Sequence, residues 1–440
     1  MPAWLKANGP KYHEAPDELV VPYVEHDARL SWLLYKDQCA TFKDWQNNSS
    51  VAIAGLVSLE LKTTKNLFAM ESVGLRLDVP YCEQAIEYEK ARAEKAVEEF
   101  KSLTGVEFTD SAKCLRPIFE SLGLTHGKTE LGNASFNIES LLPNAANPII
   151  QAILSYRDAN KRASTYWENF LQMHIGGVIY PNTRQSGTVT GRFSVTDPAC
   201  QTWPDDSEDP TCMYPIRRAF IALDDCVMVS MDYLGMELRF AIDQVEDMDM
   251  IDAIVTGADL HQRIADVAGV SRTLGKRGRF LRQYGGGVEK MSKSLGIPYD
   301  VASRVAKALD NESPKLKAYS NNLISYAKRA PFGYNWMGRR FFFDKGFEYK
   351  YPNYWNQGGC SEILRIAIDD ITALLLKSAH PATRFVLPIH DEIILQMHCT
   401  DLRLIPAVKQ LMVDAYRIKK HLAMDVSVSS GPNMHDLEAM

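Results

Sequence analysis

Asp232 closes a short apolar run, Cys226–Met231, while Asp391 and Glu392 stand between two apolar stretches within Arg384–Met397. A carboxylate at a strand end or in a tight turn is held rigidly at a sheet edge, where it stays unburied. Two such groups brought together would hold hard divalent cations through oxygen. Magnesium takes one or two protein carboxylates and completes its shell with phosphate oxygens. A pair of metal ions about 3.5–4 Å apart would stabilise both the attacking and the leaving oxygen of a phosphoryl transfer. The plainer reading, a set of solvated turn acids, stands beside this one.

Between the carboxylates lies a run of cations, Arg272, Lys276, Arg277, Arg279 and Arg282, with no acid among them. Arg272, Lys276, Phe280 and Tyr284 recur every fourth residue, so on a helix they share one slowly drifting face. Two cations, a flat ring and a phenol suit a nucleoside triphosphate, the charges for its phosphates and the rings for its base and sugar. The alternative is a solvated basic face with two aromatics tucked into the core. Gly275 and Gly278 count against the helix by about 1 kcal/mol each relative to alanine.

Residues 1–20 are an irregular lead-in, then a helix covers Glu25–Gln38. Apolar Ile86, Ala93, Val97 and Phe100 predict a long amphipathic helix over Pro80–Gly105. Further helices cover Ser111–Leu122 and Asn147–His174, and Pro181–Pro210 reads as strands and loops. Helical texture runs from Met236 to Tyr326 with breaks near Gly257, Gly269 and Pro298. Tyr334–Phe343 reads as a hairpin turning at Met337 and Gly338, and Ser361–Ala379 as a helix. Arg384–Met397 is strand, tight turn, strand; a last helix over Leu404–His421 precedes a polar tail. The order is α+β rather than alternating βαβ.

Composition narrows the class. At 46% apolar and 24% charged, the chain is neither disordered nor collagen-like, and it can build a core of ordinary size. Its net charge of −6 argues against a protein that coats nucleic acid, so any such binding needs basic residues gathered on one face. None of the eight cysteines pairs as C-x-x-C, which leaves a zinc ribbon or thioredoxin-type site unsupported and favours reduced thiols of a cytosolic interior. The first residues carry charge and proline rather than the apolar run of a signal peptide. No uninterrupted apolar stretch reaches 18 residues, so no membrane span is expected.

Taken together, the motifs resemble the three polymerase motifs of family A DNA polymerases, the bacterial DNA polymerase I and phage-type group. Asp232-Tyr-Leu-Gly-Met-Glu-Leu-Arg239 is similar to the first, the R-x3-K-x3-F-x3-Y-G pattern of Arg272–Gly285 to the second, and Ile389-His-Asp-Glu392 to the third. Thr190-Gly-Arg-Phe-Ser194 with Asp197, Pro198 and Gln201 resembles the family's TGR…DP…Q segment, and Asn353 to Gly358 its N-x3-Q-G stretch. Tyr156, Arg157, Lys161 and Ser164-Thr165-Tyr166 look like its thumb sequence, and Gly257–His261 like the segment with a phosphate-contacting histidine. The likeness covers about residues 65–440.

The resemblance implies a right-hand fold, α+β, with an antiparallel palm sheet and mostly helical fingers and thumb. It puts a thumb at residues 61–168, a palm at 169–262 and 346–440, fingers at 263–345, and a remnant of the 3′→5′ exonuclease domain at 1–60. It implies a template-dependent DNA polymerase using two Mg2+ ions, with primer–template DNA and deoxynucleotides as partners. Asp232 and Asp391 would hold the ions, with the main-chain carbonyl of Tyr233; Glu392 would neighbour them or hold the turn. Arg272, Lys276 and His261 would grip the triphosphate, Lys276 also protonating the leaving pyrophosphate. Phe280 would lie against sugar and base, Tyr284 near the templating position, and Glu237 would block a ribose 2′-hydroxyl. Arg192, Gln201, Asn353, Gln357 and His390 would contact the primer–template, as would Lys161 and Thr165. Minor-groove acceptors look alike in every correct pair, so such contacts check shape rather than sequence.

The sequence also departs from the family pattern. Leu234 and Gly235 replace the usual Ser and Gln, and Pro388 stands where glutamine is common. The connection from His261 to Arg272 is short, implying trimmed fingers, and the thumb lacks the insertion that would carry a processivity clamp. Tyr23-Val-Glu-His-Asp27 resembles the third exonuclease motif, but the other nuclease acids would lie upstream of Met1. The expectation is no proofreading by this chain alone and, if the gene is split, a separate exonuclease-bearing chain. The setting implied is the cytoplasm of a bacterium or phage-infected host. Two rivals are a single-subunit RNA polymerase, which Glu237 and Phe280 argue against, and an inactive nucleic-acid-binding subunit, which both aspartates argue against.

Overall fold

A computed structural model describes residues 2–9, 12–47, 53–129, 132–204, 206, 209, 211–283 and 285–440. The chain forms two compact units, one of residues 63–244 and 363–440, the other of 1–62 and 245–362. The fold is mostly helical α+β with an antiparallel sheet. Among the described residues no helix is long and apolar enough to cross a membrane.

The first unit is built on a five-stranded sheet in the order Arg384–Ile389, Glu392–His398, Cys226–Tyr233, Val426–Gly431, Glu438–Ala439, antiparallel throughout. The fourth strand corrects the expectation of a polar tail. Val426, Ser427, Val428 and Ser429 alternate with the period of a strand, and both valines are buried. The sheet's buried Met228, Leu387 and Ile394 belong to one core with Trp167, Phe170, Trp203 and Phe220. Trp203 stacks on Phe220 with ring centres 4.3 Å apart.

Two helices of this unit, Val79–Thr104 and Pro148–Lys161, pack side by side. The first is capped by the Asp78 carboxylate, which accepts from the Tyr81 N–H, and ended by Gly105 at φ 70°. Phe100, Phe119, Leu141, Ile150 and Ile153 form a second core, each such side chain contributing roughly 1.5–3 kcal/mol of burial. The single helix expected over Asn147–His174 is in fact interrupted by a π-helical turn, Arg162–Glu168. Arg162 is buried there, 2.5 Å from Asp206.

In the second unit, short helices pack around Ile264, Ala268, Met291, Ala302 and Val305. Gly257, Gly269 and Gly296, all at positive φ, end helices here. The expected hairpin is present as Gly333–Tyr334 paired with Arg340–Phe341. Its Arg340 guanidinium lies between the rings of Trp45 and Phe332, 4.0 and 4.2 Å from their centres.

Three helices run differently from the sequence expectation. The lead-in is largely helical, with a turn at Pro2–Asn8 and a helix from Asp17 to Asn47 that carries through Pro22. Pro22 is the sixth residue of that helix, past its first turn, where a proline removes one backbone bond and crowds the preceding turn at a cost of about 3 kcal/mol. Tyr351–Ser378 starts ten residues before the expected Ser361 and runs through Gly358 and Gly359, because this stretch is buried on all sides. The last helix stops at Asp414 instead of His421. There Asp243 captures the N–H groups of Lys420, His421 and Leu422, which then cannot serve a helix.

Candidate functional site

Asp232 pairs in register with Glu392 on one neighbouring strand and with Ser427 on the other. The carboxylate therefore rises from a central strand, and both Asp232 and Asp391 are half-buried, which corrects the expectation of unburied acids at a sheet edge. Burial, then the charges of Asp391 and Glu392, push the Asp232 carboxyl up to about 7. Burial also raises Asp391, opposed by a main-chain hydrogen bond and by the nearby Arg192 charge. Asp391 sits in a two-residue turn whose other member, exposed His390, has φ 56°, a left-handed conformation costing on the order of 1 kcal/mol. The Tyr233 N–H donates to the Asp391 carbonyl at 3.4 Å, and the buried Tyr233 hydroxyl donates to Met412 at 2.7 Å. Glu392 accepts from the Ser230 hydroxyl and faces Arg217 at 3.6 Å.

The same unit carries Arg192, Gln201, Lys161, Thr165 and His390 of the residues expected at the primer, while Asn353 and Gln357 fall in the other unit. Arg192 donates to the Glu237 carboxylate, so two side chains given separate roles form one ion pair. Gln201 is partly occupied, its side-chain carbonyl accepting from the Val195 N–H at 3.3 Å. Lys161 and Thr165 are exposed, at the start of and within the π turn. Glu237 stands in the first turn of Met236–Gln244, a helix anchored at its far end by Asp243. The Asp243 carboxylate accepts from the Tyr416 hydroxyl at 2.5 Å and from three main-chain N–H groups.

The cationic run lies in the other unit, on the helix Arg272–Gln283. Its glycines have a purpose the propensity argument misses. A side chain at Gly275 would meet the His261 carbonyl oxygen at 2.7 Å, and one at Gly278 would meet Val305 at 2.6 Å. They let neighbouring helices close in. Acids from elsewhere in the unit pair part of the run: Arg272 with Asp259 at 2.6 Å, Arg279 with Glu312 at 2.6 Å, Arg282 with Asp310 at 2.9 Å. Lys276 and Phe280 stay exposed, Phe280 at 45%. His261 lies 6.3 Å from the Phe280 ring with its Nδ1 buried and unpartnered. Burial, then Arg279 and Arg272, hold this imidazole below its usual pKa. Tyr284 lies outside the described residues. Gln357 is buried and Asn353 half-buried with its Oδ1 unpartnered.

The donor set fits a hard divalent cation. Two half-buried carboxylates with raised proton affinity concentrate negative charge, and oxygen is the ligand atom magnesium takes. Among the described residues no three or more His, Cys, Asp and Glu form a closed metal site. Arg217 is the residue that the sequence reading missed. Its charge opposes the rise at Asp232, and its Nε is buried without a partner. The signal was the paired Arg217 and Arg218, a few residues before the central strand.

Comparison with known proteins assigns the family. The profile of DNA polymerase family A matches residues 79–436. The chain is 32% identical over 357 residues to the DNA polymerase of Mycobacterium phage L5, spanning 79% of this chain and 57% of that protein. It is 30% identical over 395 residues to DNA polymerase I of Lactococcus lactis subsp. cremoris, spanning 84% of this chain and 45% of that protein. The chain thus covers about half the length of these relatives. The fold is similar to the POL domain of Pol1 from M. smegmatis, solved with DNA primer-template and dNTP, at a TM-score of 0.78 and 22% identity, over 91% of this chain and 72% of that one. The chain belongs to DNA polymerase family A.

Proposed function

We propose that this chain is a template-dependent DNA polymerase that adds deoxynucleotides to a primer 3′-hydroxyl, in bacterial or phage DNA replication. The observation that most supports this is the pair of half-buried carboxylates, Asp232 and Asp391, in a chain of this family. In this reading residues 61–168 are the thumb, 169–262 and 346–440 the palm, and 263–345 the fingers.

Asp232, Asp391 and the Tyr233 carbonyl would hold two magnesium ions, which when bound lower the pKa of the primer hydroxyl and neutralise charge on the phosphates. Arg272, Lys276 and His261 bind the triphosphate, and Lys276 Nζ gives a proton to the departing pyrophosphate. Phe280 and Tyr284 flank base and sugar, and Glu237 excludes a 2′-hydroxyl. Arg192, Gln201, Asn353, Gln357 and His390 contact the primer–template, with Lys161 and Thr165 on its backbone. Glu392, tied to Ser230 and Arg217, holds the turn that carries Asp391. Tyr23 and Asp27 lie four apart on an exposed helix, where a hydrogen bond to Asp27 raises the Tyr23 hydroxyl. A separate exonuclease-bearing chain is the partner this nuclease-like motif suggests.

Primer extension on a templated duplex tests the reading. The wild type should extend with magnesium and deoxynucleotides, and Asp232→Asn should not. Preference for ribonucleotides would favour an RNA polymerase. DNA binding without magnesium and without extension would favour an inactive binding subunit.

A further inference from the structure

Arg365 lies eight residues beyond Gln357 on the Tyr351–Ser378 helix and is fully buried, with 0% of its surface exposed. A guanidinium is costly to desolvate, so a buried one marks a place where its fork of donors is needed. Its Nη2 donates to the carbonyls of Gln185 at 2.7 Å and Gly191 at 2.5 Å. Its guanidinium carbon lies 4.7 Å from the centre of the Phe193 ring. These contacts bracket one residue. The Gly191 carbonyl belongs to the peptide that carries the Arg192 nitrogen, and Phe193 follows on the other side. The Thr188 hydroxyl takes a third point, donating to the Arg192 carbonyl at 2.9 Å. With its backbone fixed, Arg192 reaches the Glu237 carboxylate, and its charge is felt at Asp391.

We infer that Arg365 is a positioning residue: through the Gly191–Phe193 backbone it fixes the Arg192–Glu237 pair, and so sets sugar discrimination and primer seating. The inference rests on the polymerase reading above. Lysine replaces the arginine only in part. Both carbonyl bonds come from the single nitrogen Nη2, which an ammonium could imitate, but an ammonium has no flat face to lay on the Phe193 ring.

The test uses the full chain as wild type, Arg365→Lys, Arg365→Met, Glu237→Ala and the Arg365→Met/Glu237→Ala double variant. Single-nucleotide kcat and KM are measured for deoxy- and ribonucleotides, with Tm for every protein. Misplacing a catalytic contact by about 1 Å can cost about 100-fold, so Arg365→Met should lower the deoxy/ribo ratio of kcat/KM at least about tenfold. Arg365→Lys should fall between. Glu237→Ala should change the ratio far less in the Arg365→Met background than alone, because the pair it belongs to is already displaced. A lower Tm with the ratio unchanged would show Arg365 to be a structural tie and refute the inference, as would full additivity in the double variant. If Arg365→Met does not fold, Arg365→Lys and Phe193→Leu put the same ratio to the test. Failure of the wild type to extend any primer is a different result, and it removes the polymerase reading itself.

Discussion

The Arg192 guanidinium donates to the Glu237 carboxylate, and both side chains are largely buried, at 27% and 11% exposed. The residue proposed to exclude ribose is therefore held by the residue proposed to touch the primer. Glu237→Ala should lower discrimination against ribonucleotides by about tenfold to 100-fold, and also slow deoxynucleotide addition because Arg192 loses its anchor. Glu237→Gln keeps the bulk and a hydrogen bond, so it should retain most of the discrimination. Competing deoxy- and ribonucleotides on one primer reads both effects.

Asp243 makes a pH-dependent contribution to stability. Burial alone would raise its pKa, but the Tyr416 hydroxyl and the N–H groups of His421, Lys420 and Leu422 outweigh it and leave the carboxyl below its usual range. A depressed carboxylate stabilises the fold above its unfolded pKa, and the contribution is lost as pH falls through the lower, folded value. Asp243→Ala leaves the Tyr416 hydroxyl and three main-chain N–H groups without their acceptor, and a buried donor left unsatisfied costs about 1–3 kcal/mol, so the variant should lose at least that much at neutral pH. Urea denaturation from pH 7 down to pH 3 should show the gap from wild type closing below about pH 4.

Gly275→Ala tests the helix approach. Its new methyl would sit 2.7 Å from the His261 carbonyl oxygen, which a backbone atom cannot easily yield. Overpacking of this kind costs about 1–3 kcal/mol. The expected signature is a raised KM for nucleotide with a smaller change in kcat, since the helix carrying Arg272 and Lys276 is pushed from His261. Equal KM for the two proteins would count against a shared nucleotide site on these helices.

His261 predicts a pH effect of opposite sign to that of a carboxylate. Burial and the cations Arg279 and Arg272 keep the free imidazole neutral at pH 7. A bound triphosphate favours its charged form and raises its pKa. Nucleotide affinity should therefore be strongest at acid pH and weaken as pH rises through the bound-state value. In the range pH 6–8, KM should climb for the wild type and stay flatter for His261→Gln, apart from the titration of the nucleotide itself.

The carboxylate strands and the cationic helix were legible because their patterns are local. An apolar run ending on Asp232, and Arg272, Lys276 and Phe280 at every fourth position, show in any window of the sequence. What was not legible depends on partners far along the chain. The end of the last helix at Asp414 is set by Asp243, and the pairing of the basic run by Asp259, Asp310 and Glu312. Gly358 and Gly359 would weaken an exposed helix, yet burial carries this one through them. Arg217 came into view only when Glu392 lay 3.6 Å away. The strand after Met424 was visible in principle, since its valines alternate with serines, but its serines made it look like a tail.

The register of Asp232 between Glu392 and Ser427 has a consequence for how this gene can change over time. Side chains alternate faces along a strand, so a one-residue slip turns every group to the opposite side. Point substitutions at Val227 or Val229 would leave the acid facing as it does. Gain or loss of one codon within Cys226–Met231 would have to slide the strand against both neighbours or turn the carboxylate away. Lineages descended from this chain should therefore show freely varied apolar residues in that segment and a constant length.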